Sequence, residues 1–480
     1  MKSKIILLAS LYFFSAEFLP AREIQAYLTY STFLSPDKGT YLETYLSVIG
    51  NSTSFIKNEK GKFQGRVEVA LIFKQGVEIK SQRKYVLLSP EIDDTIGTKP
   101  NFIDQQRISL DNGLYDFEIS ISDKNKTSLP FVLHQKITLD HSPEKINISG
   151  IELLESYKKS VEKNILTKSG YDLIPYVSNF FPSNMKNISF YAEVYNMNKQ
   201  LKRGEKFVFN YFIESFESHV KLNNFNNFLK QNANMVNIIL AEIPIKNLAS
   251  GNYNLVIEIK NKENLTLAEK RLFFQRKNPE VSTPLEDLQA INLNGSFVNK
   301  FQNKDTLSDY IKSLWPISSF TERNYTENHF HEKDLELMRQ FFLNYWKKRN
   351  ELNPEQAWIA YNLEVRKVNN TFGTQNRKGY ATDRGRVYLQ YGPPDQRTEA
   401  LHEPSTYPYE IWQYYKLVDQ TNKKFVFYNP DLVTNNYTLI YSNARGEINN
   451  SNWQEMIRSG SEDPDGSFGN KLMENFNNPR

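Results

Sequence analysis

The sequence predicts a mainly β protein with an α+β C-terminal part: two tandem immunoglobulin-like β-sandwiches, a helical connector and a small mixed α+β domain. Three observations predict this class. The chain has 480 residues, about three times the length of an ordinary domain. It contains 32 Phe and 28 Tyr, and aromatic and β-branched residues favour strands. A repeated strand motif indicates two similar β regions, and a change from strand to helix periodicity near residue 280 indicates where the C-terminal part begins.

The repeated motif predicts the two sandwiches. Residues 113–121 and 251–259 share the pattern Gly-x-Tyr-x-apolar-x-Ile-x-Ile. Strict alternation after a turn glycine predicts a strand with one buried face. Other alternating segments surround each copy, about seven strands in each region, which is the strand number of an immunoglobulin-like sandwich.

A change of pattern near residue 280 predicts the start of a different part. Prolines interrupt the alternation at Pro279 and Pro284, and helical spacing of apolar residues follows at 306–313 and 332–348. Asn353, Pro354 and Gln356 form a helix-start signal for a segment that runs to about residue 369. Strands are predicted again beyond it, at 386–391, 409–414, 424–428 and 437–441, with a short helix at 452–458.

These patterns predict six segments along the chain. They are a signal peptide 1–21, sandwich domains 22–145 and 146–278, a helical connector 279–350, an α+β domain 351–460 and a loosely ordered tail 461–480.

Charge and cysteine content exclude several classes of protein. The chain carries 59 Lys and Arg against 55 Asp and Glu, and a formal net charge of +4 leaves no basic footprint for nucleic acid. It has no cysteine, which excludes disulfides, thiolate metal sites, cysteine nucleophiles and a lipid anchor on an N-terminal cysteine. The phosphate-binding and nucleophile-elbow motifs are absent from the sequence, and no cofactor is predicted.

The first residues predict export. Lys2 and Lys4 precede an apolar run over 5–14, which has the length of a signal-peptide core and is too short to span a bilayer. We therefore expect an exported protein, periplasmic or outer-membrane associated, without a transmembrane segment in the mature chain. A cysteine-free exported chain fits a bacterial envelope better than a eukaryotic secretory route.

Residues 378–395 form the most unusual stretch of the sequence. The interpretation from residues alone is a loop with two glycines, a strand at 386–391 and a Gly-Pro-Pro-Asp turn. In such a strand Arg384 and Arg386 project to one face, where with Asp383 they form either a site for a carboxylate or phosphate or a structural network of arginine and carboxylate. The structural network is favoured, because ion-pair networks imitate sites.

The same stretch resembles the GWxTD domain family of exported proteins from Bacteroidetes. That family's name describes Gly-Trp-x-Thr-Asp, followed by Arg-Gly-Arg and Gly-Pro-Pro-Asp, and the order and spacing match, with Tyr380 in the place of Trp. The resemblance implies an envelope location and this architecture, but no reaction. The candidate binding residues are Gly379, Tyr380, Thr382, Asp383, Arg384, Arg386, Asp395, Glu410 and Trp412.

The favoured function is binding or assembly with an envelope protein or a glycan, without catalysis. The alternative is a periplasmic hydrolase of glycan or peptide, in which Asp383 and Glu410 form a carboxylate pair. His329 and His331 lie two residues apart, but no third imidazole follows at ligand spacing, so no metal site is predicted.

Overall fold

The computed structural model describes residues 24–127, 130–142, 144–202, 204–281, 291–330, 334–417, 420–450, 452–458 and 470–477. It is mostly β, with 44% of residues in strands and 22% in helices, so the predicted fold class is confirmed. The described residues form two compact units. One unit draws on the chain up to residue 143 together with 155–178, and the other on 144–154 together with 179–480.

The first unit contains an immunoglobulin-like sandwich. Its strands are β1 (Ala26–Ser35), β2 (Gly39–Val48), β3 (Phe55–Lys57), β4 (Phe63–Gln75), β5 (Glu78–Leu88), β6 (Phe102–Ser109), β7 (Gly113–Asp123) and β8 (Phe131–Leu139). One sheet has the order β1-β2-β6, and the other has the order β3-β4-β7-β8 with β5 also paired to β4. Alternate residues of β4, from Val67 to Phe73, are buried against Leu42 and Leu46 of β2, which is how two sheets share one core.

The next strands continue into a second sandwich. They are β9 (Asn147–Ile148), β10 (Glu152–Lys159), β11 (Thr167–Lys168), β12 (Tyr171–Pro175), β13 (Phe180–Phe181), β14 (Asn187–Tyr195), β15 (Lys206–Ser215), β16 (Lys221–Asn232), β17 (Val236–Pro244), β18 (Gly251–Lys260) and β19 (Thr266–Arg276), with a short helix α1 (Met197–Gln200). The hairpin of β11 and β12 belongs to the first unit. In the second unit β14 pairs with β17, β9 and the start of β10, while the facing sheet has the order β13-β19-β18-β15-β16.

The repeated motif forms the same local structure in both sandwiches. Its two copies are the strands β7 and β18, as predicted. The buried residues alternate along β7, but in β18 Asn254 and Val256 of the other face are buried as well, so the prediction of a single buried face is wrong for this copy. Tyr115 donates its hydroxyl to the carbonyl oxygen of Asp111 at 2.9 Å, and Tyr253 donates to that of Ala249 at 3.1 Å. This is the tyrosine corner of immunoglobulin-like folds, in which a tyrosine hydroxyl bonds back to the chain a few residues upstream.

The remaining chain is a mixed α+β region. Its helices are α2 (Lys304–Ser313), α3 (Phe320–His329), α4 (Leu335–Arg349), α5 (Pro354–Phe372), α6 (Asp383–Tyr391), α7 (Trp453–Ile457) and α8 (Asn470–Asn477). Its strands β20 (Gln396–Ala400), β21 (Tyr409–Leu417), β22 (Gln420–Tyr428) and β23 (Thr438–Ser442) form an antiparallel sheet in that order. Helices α5 and α6 contribute to the core on one face of this sheet, and α7 and α8 contribute to the core on the other.

Three details of this region differ from the sequence prediction. The predicted strand at 386–391 is wrong, because these residues belong to α6. Helix α3 was not predicted, and the tail expected to be loosely ordered contains α8, whose Leu472 is fully buried. A short apolar run has no period that separates a strand from a buried helix, so the contacts of the finished fold decide.

Candidate functional site

The motif residues 379–383 form the connection into α6. A 3-10 turn over Gly379–Ala381 leads to Thr382, the N-cap residue of the helix. The Thr382 hydroxyl donates to the carbonyl oxygen of Gly379 at 2.8 Å and accepts from the backbone N–H of Gly385 at 3.1 Å. A threonine at this position stabilises the first turn of a helix by satisfying a free N–H group.

The two glycines of this stretch allow a close backbone approach. A Cβ atom placed on Gly385 would lie 1.8 Å from the carbonyl oxygen of Gly379, and one placed on Gly379 would lie 2.1 Å from that of Val368 in α5. Both distances are far inside van der Waals contact. Glycine at these positions therefore lets the start of α6 pack directly on the turn and on α5.

Tyr380 connects the motif to the helices that precede it. Its side chain is buried, and its hydroxyl donates to Asp309 Oδ1 of α2 at 2.8 Å. Burial and this hydrogen bond to a carboxylate raise the pKa of the Tyr380 hydroxyl above its ordinary value. Tyr380 thus acts as a neutral hydrogen-bond donor in a contact within the protein.

Arg384 lies in a buried ion-pair network centred on Glu410. The Glu410 carboxylate, 1% exposed, accepts from Arg384, from Arg397 Nε at 3.1 Å and Nη2 at 3.0 Å, and from Trp412 Nε1 at 2.9 Å. Arg384 also donates to the carbonyl oxygen of Asn435 at 2.8 Å. The side chains of Arg384, Arg397 and Trp412 therefore enclose the Glu410 carboxylate.

Arg386 takes part in a separate network. Its two Nη atoms donate to the two carboxylate oxygens of Glu447 at 2.7 and 2.8 Å, and the Tyr391 hydroxyl donates to Glu447 Oε1 at 2.8 Å. The prediction that Arg384 and Arg386 share one face is wrong. Residues two positions apart share a face of a strand but lie on different sides of a helix.

The two aspartates of the motif accept hydrogen bonds from backbone groups. Asp383 Oδ2 accepts from the N–H of Leu439 in β23 at 2.8 Å. Asp395 Oδ2 accepts from the N–H of Tyr415 in β21 at 2.6 Å. Asp383 thus connects the start of α6 to the sheet, and Asp395 connects the turn after α6 to the sheet. Both carboxylates have a structural role.

Three of the predicted residues lie together in the structure, but two of the residues that pair with the predicted ones were not predicted. The structure brings Arg384, Glu410 and Trp412 together, and it places Arg386 and Asp395 elsewhere. Arg397 and Glu447 were not predicted. Arg397 is 13 residues from its partner Glu410 in the sequence, and Glu447 is 61 residues from its partner Arg386. The pairing of β20 with β21, which places Arg397 opposite Trp412, is the signal that could have indicated the contact of Arg397 with Glu410.

The geometry gives the hydrolase alternative no support. Glu410 is enclosed by two guanidinium groups and an indole, and Asp383 is bonded to a backbone N–H. A general acid or base needs a carboxyl group that reaches substrate, and both of these carboxylates are held by groups of the protein itself.

No group of three or more potential ligand side chains suited to a metal ion occurs among the described residues. His331 and the side chain of His329 lie outside the described residues.

Residues 287–459 match the GWxTD domain family. This part of the chain is therefore a GWxTD domain. The match begins before α2 and ends after α7, so the GWxTD domain includes the helices that were predicted as a separate connector. No curated protein matches the sequence.

Solved structures show only distant likeness to the chain. Salmonella α2-macroglobulin reacted with methylamine is 13% identical with a TM-score of 0.16, and the match covers 54% of this chain and 17% of that one. Fibronectin(III)-like modules of Clostridium thermocellum CbhA are 8% identical with a TM-score of 0.14, covering 50% and 88%. The calcium binding domain CBD12 of CALX1.1 is 10% identical with a TM-score of 0.14, covering 62% and 87%. The chain thus spans about a sixth of the macroglobulin.

Proposed function

We propose that this protein is an exported, non-enzymatic component of a bacterial cell envelope that acts in binding or assembly through its GWxTD domain. The observation that carries the proposal is the enclosure of Glu410. The motif's charged groups hold helix to sheet inside the domain, so they build a rigid scaffold rather than a reaction centre. A scaffold of this kind acts through its surface.

The surface of α5 supports a protein partner. Ile359 and Leu363 lie one helical turn apart and are 51% and 59% exposed, and the neighbouring Leu352 is 88% exposed. Apolar side chains grouped on the outside of a domain are typical of protein contacts. We therefore favour an envelope protein with an apolar contact surface over a glycan as the partner of the GWxTD domain.

The export part of the proposal depends on the sequence alone. Lys2, Lys4 and the apolar run over 5–14 support a signal peptide, and residues 1–23 lie outside the described structure. Within the described ranges, no helix is long and apolar enough to cross a membrane. Bacteroidetes as the source group remains part of the proposal, from the resemblance of the motif.

Cross-linking in the native envelope tests the proposal. Wild type is compared with Ile359→Lys/Leu363→Lys, which adds charge to exposed positions only. We expect one defined protein to be cross-linked to wild type, and its yield to fall about tenfold in the variant, as for residues at the centre of an interface. The matched control is Val77→Lys/Ile96→Lys, at exposed apolar positions of the first sandwich.

Two results would contradict the proposal. One is a cross-linked partner whose yield is the same in the α5 variant and in wild type. The other is hydrolysis of envelope glycan or peptide by the purified wild-type protein, since the proposal assigns it no reaction.

A further inference from the structure

A cleft in the first unit carries an inference beyond the GWxTD domain. It lies between the turn that joins β1 to β2 and the hairpin of β11 and β12 with the loop before it, and all its lining residues belong to this unit. Its volume is about 840 Å³. Pockets of this size hold organic ligands of several rings.

The lining of the cleft is cationic and rich in hydroxyl groups. Its charged side chains are Lys38, Arg107, Lys163 and Lys168, and none of the described residues that line it carries a carboxylate. Six further lining residues carry hydroxyl groups, and Val161 is the one aliphatic residue. This composition suits a ligand that carries both negative charge and hydroxyl groups.

The Glu43 carboxylate holds two of these cations, Arg107 and Lys168, in position. Its side chain is fully buried and accepts hydrogen bonds from Lys168 and Arg107, from the Tyr45 hydroxyl at 2.6 Å and from Gln105 Nε2 at 3.2 Å. Burial by itself would raise the pKa of Glu43, but the charges of Lys168 and Arg107 outweigh it and hold the pKa below its usual value. The carboxylate is therefore ionised at neutral pH and orients both cations.

Among the described residues that line the cleft or contact Glu43, cationic side chains outnumber carboxylates. One carboxylate faces two cations, and Arg107 keeps 37% of its side chain exposed. Its side chain donates from Nε to Glu43 and from Nη2 to the carbonyl oxygen of Thr167 at 3.4 Å. Within the described part of the chain, the exposed Lys38 and Lys163 form no ion pair. An excess of positive charge in a concave site raises the local concentration of anions.

We propose that this cleft binds an acidic oligosaccharide. Its carboxylate or sulfate groups would pair with Arg107, Lys38 and Lys163, and its hydroxyls would exchange hydrogen bonds with the hydroxyl-bearing lining. A single phosphate ion would fill only a small fraction of the cleft volume, so a larger anion is favoured. An acidic peptide would bring carboxylates but few hydroxyl groups to exchange hydrogen bonds with this lining. The inference concerns a unit other than the one that contains the GWxTD domain and stands independently of the function proposed for that domain.

Calorimetric titration of the full chain tests the inference. The probe is an oligogalacturonate, with a neutral cello-oligosaccharide of the same length as reference. We expect binding of the acidic probe that weakens as salt is raised, because salt screens exposed charges. Lys38→Glu/Lys163→Glu should raise its dissociation constant about tenfold or more, since two attractive contacts become repulsive.

The matched control is Lys186→Glu/Lys246→Glu, at exposed lysines of the second sandwich, which changes the net charge by the same amount. It should bind as wild type does, and equal thermal unfolding of both variants shows that both remain folded. The inference is overturned if wild type does not bind the acidic probe, if the neutral probe binds equally well, or if both double variants lose the same affinity. Equally tight binding of a polyglutamate peptide, lost in Lys38→Glu/Lys163→Glu, would also overturn it and identify an acidic peptide site.

Discussion

Two buried glutamates organise two different regions of this protein. Glu410 in the GWxTD domain accepts from Arg384, Arg397 and an indole, and Glu43 in the first sandwich accepts from Arg107, Lys168 and a tyrosine hydroxyl. In both regions one carboxylate holds two cations. The difference lies in what surrounds those cations.

The two networks differ in charge balance and in whether they line a cleft. In the GWxTD domain Arg397 also pairs with Glu399 at 2.9 Å, so two arginines face two carboxylates, and Arg384 is buried against the Tyr437 ring, 4.1 Å from its centroid. In the first sandwich the two cations share one carboxylate and line a cleft. Both carboxylates are buried, and each network has one cation that is about one-third exposed. A charge-balanced network stabilises a fold, whereas positive charge that lines a cleft attracts an anion. The sequence motif marks the first, and no motif marks the second.

The largest effect that tests this comparison is expected for Glu410→Gln. The substitution leaves Arg384 buried without a counter-charge, which costs roughly 3–5 kcal/mol in the free energy of unfolding. All five Trp, from Trp315 to Trp453, lie in the second unit, so denaturant unfolding followed by tryptophan fluorescence reports on this unit alone.

The matched control for Glu410→Gln is Glu399→Gln, whose side chain is 45% exposed and whose ion pair is worth less than about 1 kcal/mol. Equal losses in the two variants would contradict the view that the GWxTD network is a buried structural element.

Gly385→Ala tests the close approach that positions this network. Its Cβ would lie 1.8 Å from the carbonyl oxygen of Gly379, so α6 must move away from the turn, at a cost of about 2–3 kcal/mol. The same fluorescence measurement reports the loss. As a control, Gly204→Ala places its Cβ in open space and costs about 1 kcal/mol from its positive φ alone. A Gly385→Ala protein as stable as wild type would show that the motif glycine has no packing role.

Glu43→Gln should cost about 3 kcal/mol, at the lower end for breaking a buried ion pair, because Lys168 loses this counter-charge while buried but the partly exposed Arg107 can turn to water. The loss should appear in unfolding followed by circular dichroism, while the tryptophan transition of the second unit stays at the same denaturant concentration. A shift of the tryptophan transition of equal size would contradict the independence of the two networks.

The pH dependence of Glu43→Gln sharpens this prediction. The pKa of Glu43 is lower in the folded protein than its ordinary value of about 4.3, so its ionised form stabilises the fold fully above that value. The stabilisation is lost as pH falls through the folded pKa. The stability difference between wild type and Glu43→Gln should therefore be greatest near pH 7 and shrink toward pH 3. A difference that is constant with pH would show that Glu43 acts by packing and not by charge.

Local signals in the sequence predicted most of the elements. The Gly-x-Tyr repeat predicted β7 and β18, and the Asn353-Pro354 signal predicted the start of α5, although the Asn353 side chain makes no capping hydrogen bond. Both signals act over a few residues, through turn geometry and the fixed φ of proline. The same local reasoning failed at 386–391, where a helix and a strand bury similar sets of residues.

The long-range contacts were beyond this reasoning. Arg384 reaches Glu410 across 26 residues, and Lys168 reaches Glu43 across 125. No period or spacing in the chain indicates which carboxylate a given cation meets. The motif identified the first network only because a family pattern includes Arg384, and the second network has no such pattern.

The sequence by itself determined the mainly β class, the tandem sandwiches, the GWxTD motif and the absence of cysteine chemistry. These follow from composition, alternation and short motifs, each of which acts within one element. Only the tertiary structure decided that Arg384 and Arg386 belong to separate networks, that Glu410 is enclosed, and that Arg107 and Lys168 meet at one carboxylate beside a cleft. The physical reason is that burial and charge pairing depend on which surfaces pack together, and packing joins residues that are far apart in the chain.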